Sequence, residues 1–372
     1  MSGIYIHIPF CNKRCNYCNF YFSTNKKIIP DFITSLKKEI KLTSDKFSHL
    51  KFNTVYFGGG TPSLIADSDL KNILTELRNN LKISNDSEIS IEVNPEDLNE
   101  DKLKFYKNSG INRLSIGVQS LKNQELIFLS RQHLSEVTIE KLKLVKKYFD
   151  NFSVDLIYSL PGQSFDDIKF TLDIYNELNA PHISAYTLTI EEKTLLYKNL
   201  QDKLFTKNSS EKEADLFLEL SEYLKSSGYL HYEVSSFSLP GYESKHNSKY
   251  WNYEDYIGLG PSAHSLHHNT RWNNFSSLGK YNLFLNDNKL PVENIINLSK
   301  EELKFEFLTL SLRHNGINFK KYESLFREDF KKVYSDVIKI LKNNEFAVEN
   351  ENSFKLTDKG YLLADEICSR YF

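Results

Sequence analysis

The sequence predicts an α/β protein. A mostly parallel sheet with crossover helices forms a partial barrel, followed by a small, mostly helical, winged-helix-like tail. Three observations point there. Strand-like and helix-like runs alternate through the first two-thirds of the 372 residues, as in successive strand–helix–strand units. About six such units fit into residues 1–235, and a closed eight-unit barrel would need more chain. From residue 299 onward the pattern changes to helices around a short hairpin.

Each element has a local reason. Ile4–Ile8 is a β-branched apolar run, hence a strand. Ile29, Phe32, Ile33, Leu36 and Ile40 recur at helical spacing and predict a helix over 29–42. A strand over 53–57 ends in Gly58-Gly59-Gly60-Thr61-Pro62, and 70–81 is helical. Residues 88–93 alternate like a strand, 98–107 like a helix, and 113–118 again like a strand. Helix 137–149 leads to strand 152–158, closed by Leu160-Pro161-Gly162. Helix 165–178, strand 182–188, helix 214–226 and a short strand at 232–234 complete this part. Residues 236–298 are rich in Gly, Asn, Ser, His and aromatics, and are read as a connecting region over the barrel mouth. In the tail, 301–313, 328–343 and 359–371 have helical spacing, with a hairpin of 346–349 and 354–356.

Composition excludes several roles. The net charge is −2 and only eight of the 47 basic residues are Arg. That balance gives no pull toward nucleic acid or anionic membrane. No apolar run reaches the roughly 18 residues of a membrane span. Pro9 and Cys11 leave no room for a signal peptide near the start, so the expected location is the cytosol. In a reducing compartment, clustered cysteines point to a metal rather than to disulfides.

Three of the four cysteines lie within eight residues: Cys11, Cys15 and Cys18, spaced C-x3-C-x2-C. A closed tetrahedral zinc site wants four N or S ligands. Three thiolates suit a cubane iron–sulfur cluster with one iron left for an outside ligand. The glycine run 58–60 follows a strand, where absent side chains let the backbone approach a ligand closely.

C-x3-C-x2-C after the first strand, followed by a glycine-rich strand end, resembles the radical S-adenosylmethionine (SAM) superfamily. The runs Tyr5–Cys11, Phe57–Ser63, Glu92–Pro95, Ser115–Ser120 and Asp155–Gln163 narrow the resemblance. They are similar to the oxygen-independent coproporphyrinogen III oxidases and their relatives, among which are haem chaperones. Tyr232–Ser235, His246-Asn247, Tyr250-Trp251 and Gly258–Ser265 extend the likeness over nearly the whole chain.

The resemblance implies a partial (β/α)6 radical-SAM barrel. Its three cysteines would hold a 4Fe–4S cluster whose fourth iron is chelated by SAM. It also implies roles around them. Tyr5 and Tyr17 border the cluster and SAM, while Gly59, Gly60 and Thr61 meet the methionine end. Glu92 accepts from the ammonium group, and the fork of Arg131 pairs with the carboxylate. Gln119 and Asp155 hold the ribose hydroxyls. The oxidases carry a further cysteine two residues after the third, where this chain has Phe20. They also carry a long extension before the cluster loop, where here ten residues precede Cys11. Both differences favour the haem chaperones. The implied partners are haem, haem-acceptor proteins (respiratory ones among the candidates) and an electron donor for the cluster. Haem takes an axial His, Cys, Met or Tyr. By family likeness His246 is the leading candidate, followed by His264 and the pair His267-His268.

Overall fold

The computed structural model describes all of residues 1–372. The barrel elements in chain order are β1 (Ser2–Ile8), α1 (Ile29–Phe47), β2 (Lys51–Gly59), α2 (Asp67–Asn80), β3 (Lys82–Val93), α3 (Glu100–Asn108) and β4 (Arg113–Gln119). Then come α4 (Asn123–Phe128), α5 (Ser135–Tyr148), β5 (Phe152–Tyr158), α6 (Phe165–Glu177), β6 (His182–Thr187), α7 (Leu195–Gln201) and α8 (Ser210–Ser226). β1 to β6 pair in sequence order, every neighbour parallel. A parallel sheet of this order needs a crossover after each strand, and the helices supply it.

Alternation along the strands sorts the side chains. Ile4, Ile6, Val55, Phe57, Ile89, Ile91, Leu114, Ile116, Val154 and Ile183 all belong to the apolar core. Their neighbours of opposite parity are polar and in register across the strands: Tyr5 pairs with Tyr56, Tyr56 with Ser90, Ser90 with Arg113 and Asp155 with Ser184. Successive strand residues face opposite sides, so the polar set shares the face opposite the helices, which becomes the inside of the barrel. The amphipathic α1 shows the complementary pattern, burying Phe32, Ile33, Leu36 and Ile40. At the start of α6, Ser164 and Asp167 form a reciprocal capping box, which satisfies two otherwise free backbone donors.

The barrel part closes with the short β7 (Leu230–Glu233). Residues 236–298 then contain β8 (Ser236–Ser238), α9 (Lys245–Trp251), β9 (Tyr256–Leu259), β10 (His264–His267), β11 (Thr270–Asn274), α10 (Leu278–Asn286) and β12 (Val292–Asn297). β8 and β7 extend the sheet beyond β6, and β9 to β12 extend it beyond β1. β9 lies parallel to β1, with Gly3 opposite Tyr256 and Ile6 opposite Leu259. The twelve strands end in two separate edges, β12 and β7, so the sheet stays open. The turn-rich composition of 236–298 hides strands of only three to six residues. Their anchor is Glu39 of α1. It is fully buried and accepts from the Gly260 amide (2.7 Å), the Asn274 amide group (2.5 Å) and the Tyr281 hydroxyl (2.6 Å). Such a buried carboxylate needs this satisfaction.

The tail consists of α11 (Lys300–Leu312), β13 (Ile317–Asn318), α12 (Phe319–Phe326), α13 (Phe330–Val333), α14 (Ser335–Asn343), β14 (Ala347–Glu349), β15 (Ser353–Leu356), α15 (Asp358–Leu362) and α16 (Ala364–Tyr371). β13, β15 and β14 form a three-stranded antiparallel sheet beside the helices. The helix predicted over 328–343 is broken at Tyr334, whose φ of −112° and ψ of 26° are not helical. The tail joins the barrel through Asp358, which accepts from Ser221 (2.9 Å) and His231 (2.8 Å).

Candidate functional site

A cavity of about 590 Å³ opens at the C-terminal ends of β1 to β6, the rim where parallel α/β barrels bind ligands. One wall is the loop between β1 and α1. A backbone bridge between Phe10 and Ser23 closes its neck, and the Cys11 amide donates to the Ser23 carbonyl at 3.1 Å. At its far end the Asn16 side chain donates to the Phe128 carbonyl (2.5 Å), and the Asn16 backbone carbonyl accepts from the Leu196 amide (2.9 Å). Pinned at both ends, the loop turns Cys11, Cys15 and Cys18 into the cavity. Burial pushes the Cys11 and Cys18 thiols up in pKa. The Thr61 hydroxyl donates to the Cys11 sulfur (3.5 Å) and the Arg131 guanidinium to that of Cys15 (3.6 Å).

The glycine turn ending β2 is the floor. Gly59 has φ +112°, a region disfavoured for other residues, and a side chain there would strike the His7 ring at 2.6 Å. Its amide donates to Glu92 Oε2 (3.0 Å), and Tyr56 donates to Oε1 (2.9 Å). Burial, with the Asp155 carboxylate adding to it, pushes Glu92 up to about 7. Burial likewise pushes Asp155 up to about 6, against Ser184 and the Arg113 charge. Two enclosed carboxylates with raised pKa on one cavity call for a cationic partner.

Arg131 enters from the loop after α4. It donates to Asn94 Oδ1 (2.8 Å) and to the Gly117 carbonyl (2.7 Å), while its Nε has no partner. Gly117 leaves space for this: a Cβ there would meet Gln119 Nε2 at 3.1 Å and Arg131 Nη2 at 3.3 Å. Gln119 itself has φ 68° at a break in the ladder between β4 and β5.

Residues 5–174 match the family model described as the radical SAM superfamily, and 298–363 match the HemN C-terminal domain. A Lactococcus lactis protein named heme chaperone HemW is 34% identical, with 100% of this chain and 97% of that one covered. Its Bacillus subtilis namesake is 32% identical over 99% and 98%. This chain belongs to the HemW family of radical SAM proteins. The fold is shared with Escherichia coli coproporphyrinogen III oxidase (HemN), with a TM-score of 0.85, 24% identity, and 99% and 89% of the two chains covered.

A radical SAM protein carries a 4Fe–4S cluster and SAM, and HemW-family Cys11, Cys15 and Cys18 present the corresponding three-cysteine motif. The donor set fits a cluster better than a single ion, because three thiolates fall one short of a closed zinc site and suit a cubane with one iron left for an outside ligand. The unpaired Arg131 Nε and the raised pKa of Glu92 fit a zwitterionic amino-acid end beside the cluster.

Tyr17, Gly59, Gly60, Thr61, Glu92, Gln119, Arg131 and Asp155 line the cavity with the cysteines. Tyr5 does not. It sits one layer below, its ring beside Tyr56 (centroids 6.2 Å) and its hydroxyl donating to His7 Nδ1 (3.1 Å). His246 is the clearer departure. It is fully buried outside the cavity, and both ring nitrogens are engaged, with Thr54 (2.8 Å) and Tyr250 (2.9 Å). Burial lowers its pKa to about 3. An axial ligand needs a free ring nitrogen, and His246 has none here. Sequence reasoning missed Asn94, which holds Arg131, and the inward-facing Ser115 and Tyr186. Strand alternation is the signal that marks the last two.

Proposed function

We propose that this protein is a haem chaperone, binding haem and passing it to acceptor proteins, with a 4Fe–4S cluster and SAM held in the cavity. The observation that carries the reading is the end-to-end match to relatives named heme chaperones. Phe20 supports it, exposed at the cavity rim where the oxidases carry their further cysteine. The acceptors include respiratory proteins, and the setting is the cytoplasm. In the cavity Cys11, Cys15 and Cys18 bind three irons. Glu92 takes the ammonium and Arg131 the carboxylate of SAM. Gly59, Gly60 and Thr61 meet its methionine end, Gln119 and Asp155 hold the ribose, and Tyr17 closes the side, with Tyr5 supporting the floor. Bound together, the two cofactors supply one-electron chemistry. The discriminating experiment is anaerobic incubation of the reconstituted protein with coproporphyrinogen III. Haem transfer without decarboxylation is expected, and decarboxylation at enzymatic rates defeats the proposal.

Among the histidine candidates, we assign the axial haem ligand to His264 at the start of β10, whose side chain is exposed. His264→Ala is expected to abolish the Soret shift on haem titration, while His246→Ala leaves it in place. The reverse pattern returns the assignment to His246.

The Glu92 role makes a pH prediction. Its folded pKa of about 7 lies above the ordinary 4.5, so the folded apo-protein holds that proton more tightly than the unfolded chain. The stability it contributes is complete below about 4.5 and is lost as pH rises through 7. An ammonium group beside Glu92 favours the ionised form. SAM affinity should therefore rise between pH 6 and 8, with proton release near pH 6.5 in calorimetry. Glu92→Gln should flatten this dependence and weaken binding about tenfold or more, the scale of a charged hydrogen bond. A pH-independent wild type would refute the pairing.

A further inference from the structure

We propose that Asp255, His267 and His268 form a binding site for one divalent transition-metal ion, of the zinc, cobalt or nickel type, at the opposite end of the sheet from the cavity. Asp255 precedes β9, His267 ends β10 and His268 opens its turn into β11. β9 runs parallel to β1, so its start lies at the N-terminal edge of the barrel strands, away from the cysteine loop.

The three side chains converge. One ligand atom from each lies within 4.8 Å of the other two. The Asp255 carboxylate organises the group, with Oδ2 accepting from His267 Nδ1 at 2.8 Å and Oδ1 from the His268 amide at 2.9 Å. His267 is further fixed by the edge of Phe47, with ring centroids 5.5 Å apart at 83°. The two imidazoles lie 4.1 Å apart, centroid to centroid. Two protonated rings this close would repel, whereas two neutral rings can share a cation. His268 sits at φ 54°, in a region that costs most residues energy, and the exposed turn carries an imidazole there rather than glycine. Metal bonds near 2.1 Å place ligands about 3.4 Å apart. Rotation of the exposed His268 side chain closes that gap. His49, exposed at the end of α1 with its ring 5.9 Å from that of His267, is within reach as a fourth donor.

Two imidazoles and a carboxylate select borderline transition ions over magnesium or calcium, which want oxygen cages. A bound ion would join the α1 end, the entry to β9 and the β10–β11 turn, clipping the sheet extension to the barrel. The test is equilibrium dialysis of the cluster-loaded protein, its three cysteines occupied by iron, against zinc, with elemental analysis. One zinc per four irons is expected. His268→Ala, an exposed change that leaves the fold standing, and Asp255→Asn should each weaken zinc about tenfold or more without iron loss. Excess magnesium should not compete. Unchanged zinc affinity in both variants, or no zinc uptake by the wild type, overturns the proposal.

Discussion

Replacing Cys11, Cys15 and Cys18 together by alanine is expected to take iron content from four per chain to none and to erase the cluster absorbance, while lowering the urea midpoint of the apo-protein only modestly. The first half follows from the donor set. No fourth thiol stands near to substitute, because Cys368 is buried in α16 of the tail. The second half follows from packing. All three thiols are only part-buried and none belongs to the apolar core. The triple variant gives up long hydrogen bonds to sulfur, from Thr61 at 3.5 Å and from Arg131 at 3.6 Å. Arg131 keeps Asn94 and the Gly117 carbonyl. The loop keeps its neck at Phe10 and Ser23 and its anchor at Asn16. The apo-protein should therefore lose no more than about 1.5 kcal/mol, about 0.5 kcal/mol for each of the three changes. Iron retained by the triple variant would show that the cluster sits elsewhere.

How much of the molecule is legible in its sequence depends on the range of the interaction. The six parallel strands and their main helices follow from local alternation and helical spacing, and they appear with ends shifted by a few residues. Cys11, Cys15 and Cys18 are a short motif on one loop, so their convergence is local too. Family likeness places Arg131, Glu92 and Asp155 at one site, and the structure brings Glu92 and Asp155 there on β3 and β5 and Arg131 on the loop after α4. What stays hidden is long-range. α4 and α7 have six and seven residues, too few for a period to show. The strands of 236–298 form because Glu39, some 220 residues earlier, buries its carboxylate against Gly260 and Asn274. His246 belongs to a motif, yet the motif does not reveal that Thr54 and Tyr250 occupy both its nitrogens. Its burial is a product of α9 packing under β1 and β2.

Gly60→Ala is expected to be strongly damaging, although its backbone permits alanine. Gly60 is not among the glycines with positive φ, so the penalty is steric alone. The added Cβ would lie 2.8 Å from the Phe10 carbonyl oxygen, 2.9 Å from the Phe10 nitrogen and 3.0 Å from the Ile8 carbonyl oxygen. All three are backbone atoms, so no side-chain rotation relieves the clash. The same atoms hold the cluster loop to the glycine turn, through Gly60 donating to Ile8 at 2.9 Å and Thr61 to Phe10 at 2.7 Å. To admit the methyl, β1 and β2 must part where Thr61 meets Cys11. Overpacking of this kind costs about 1–3 kcal/mol, and here the displacement also spoils the cavity wall. Chemical denaturation should show a loss near the top of that range, and the reconstituted variant should bind SAM at least tenfold more weakly. Gly162→Ala is the control. Gly162 has φ +73° but nothing within 4 Å of an added Cβ, so it should cost only the left-handed backbone penalty of about 1–2 kcal/mol and leave SAM binding intact. If the two variants lose SAM affinity equally, close backbone approach at Gly60 is not what shapes the cavity floor.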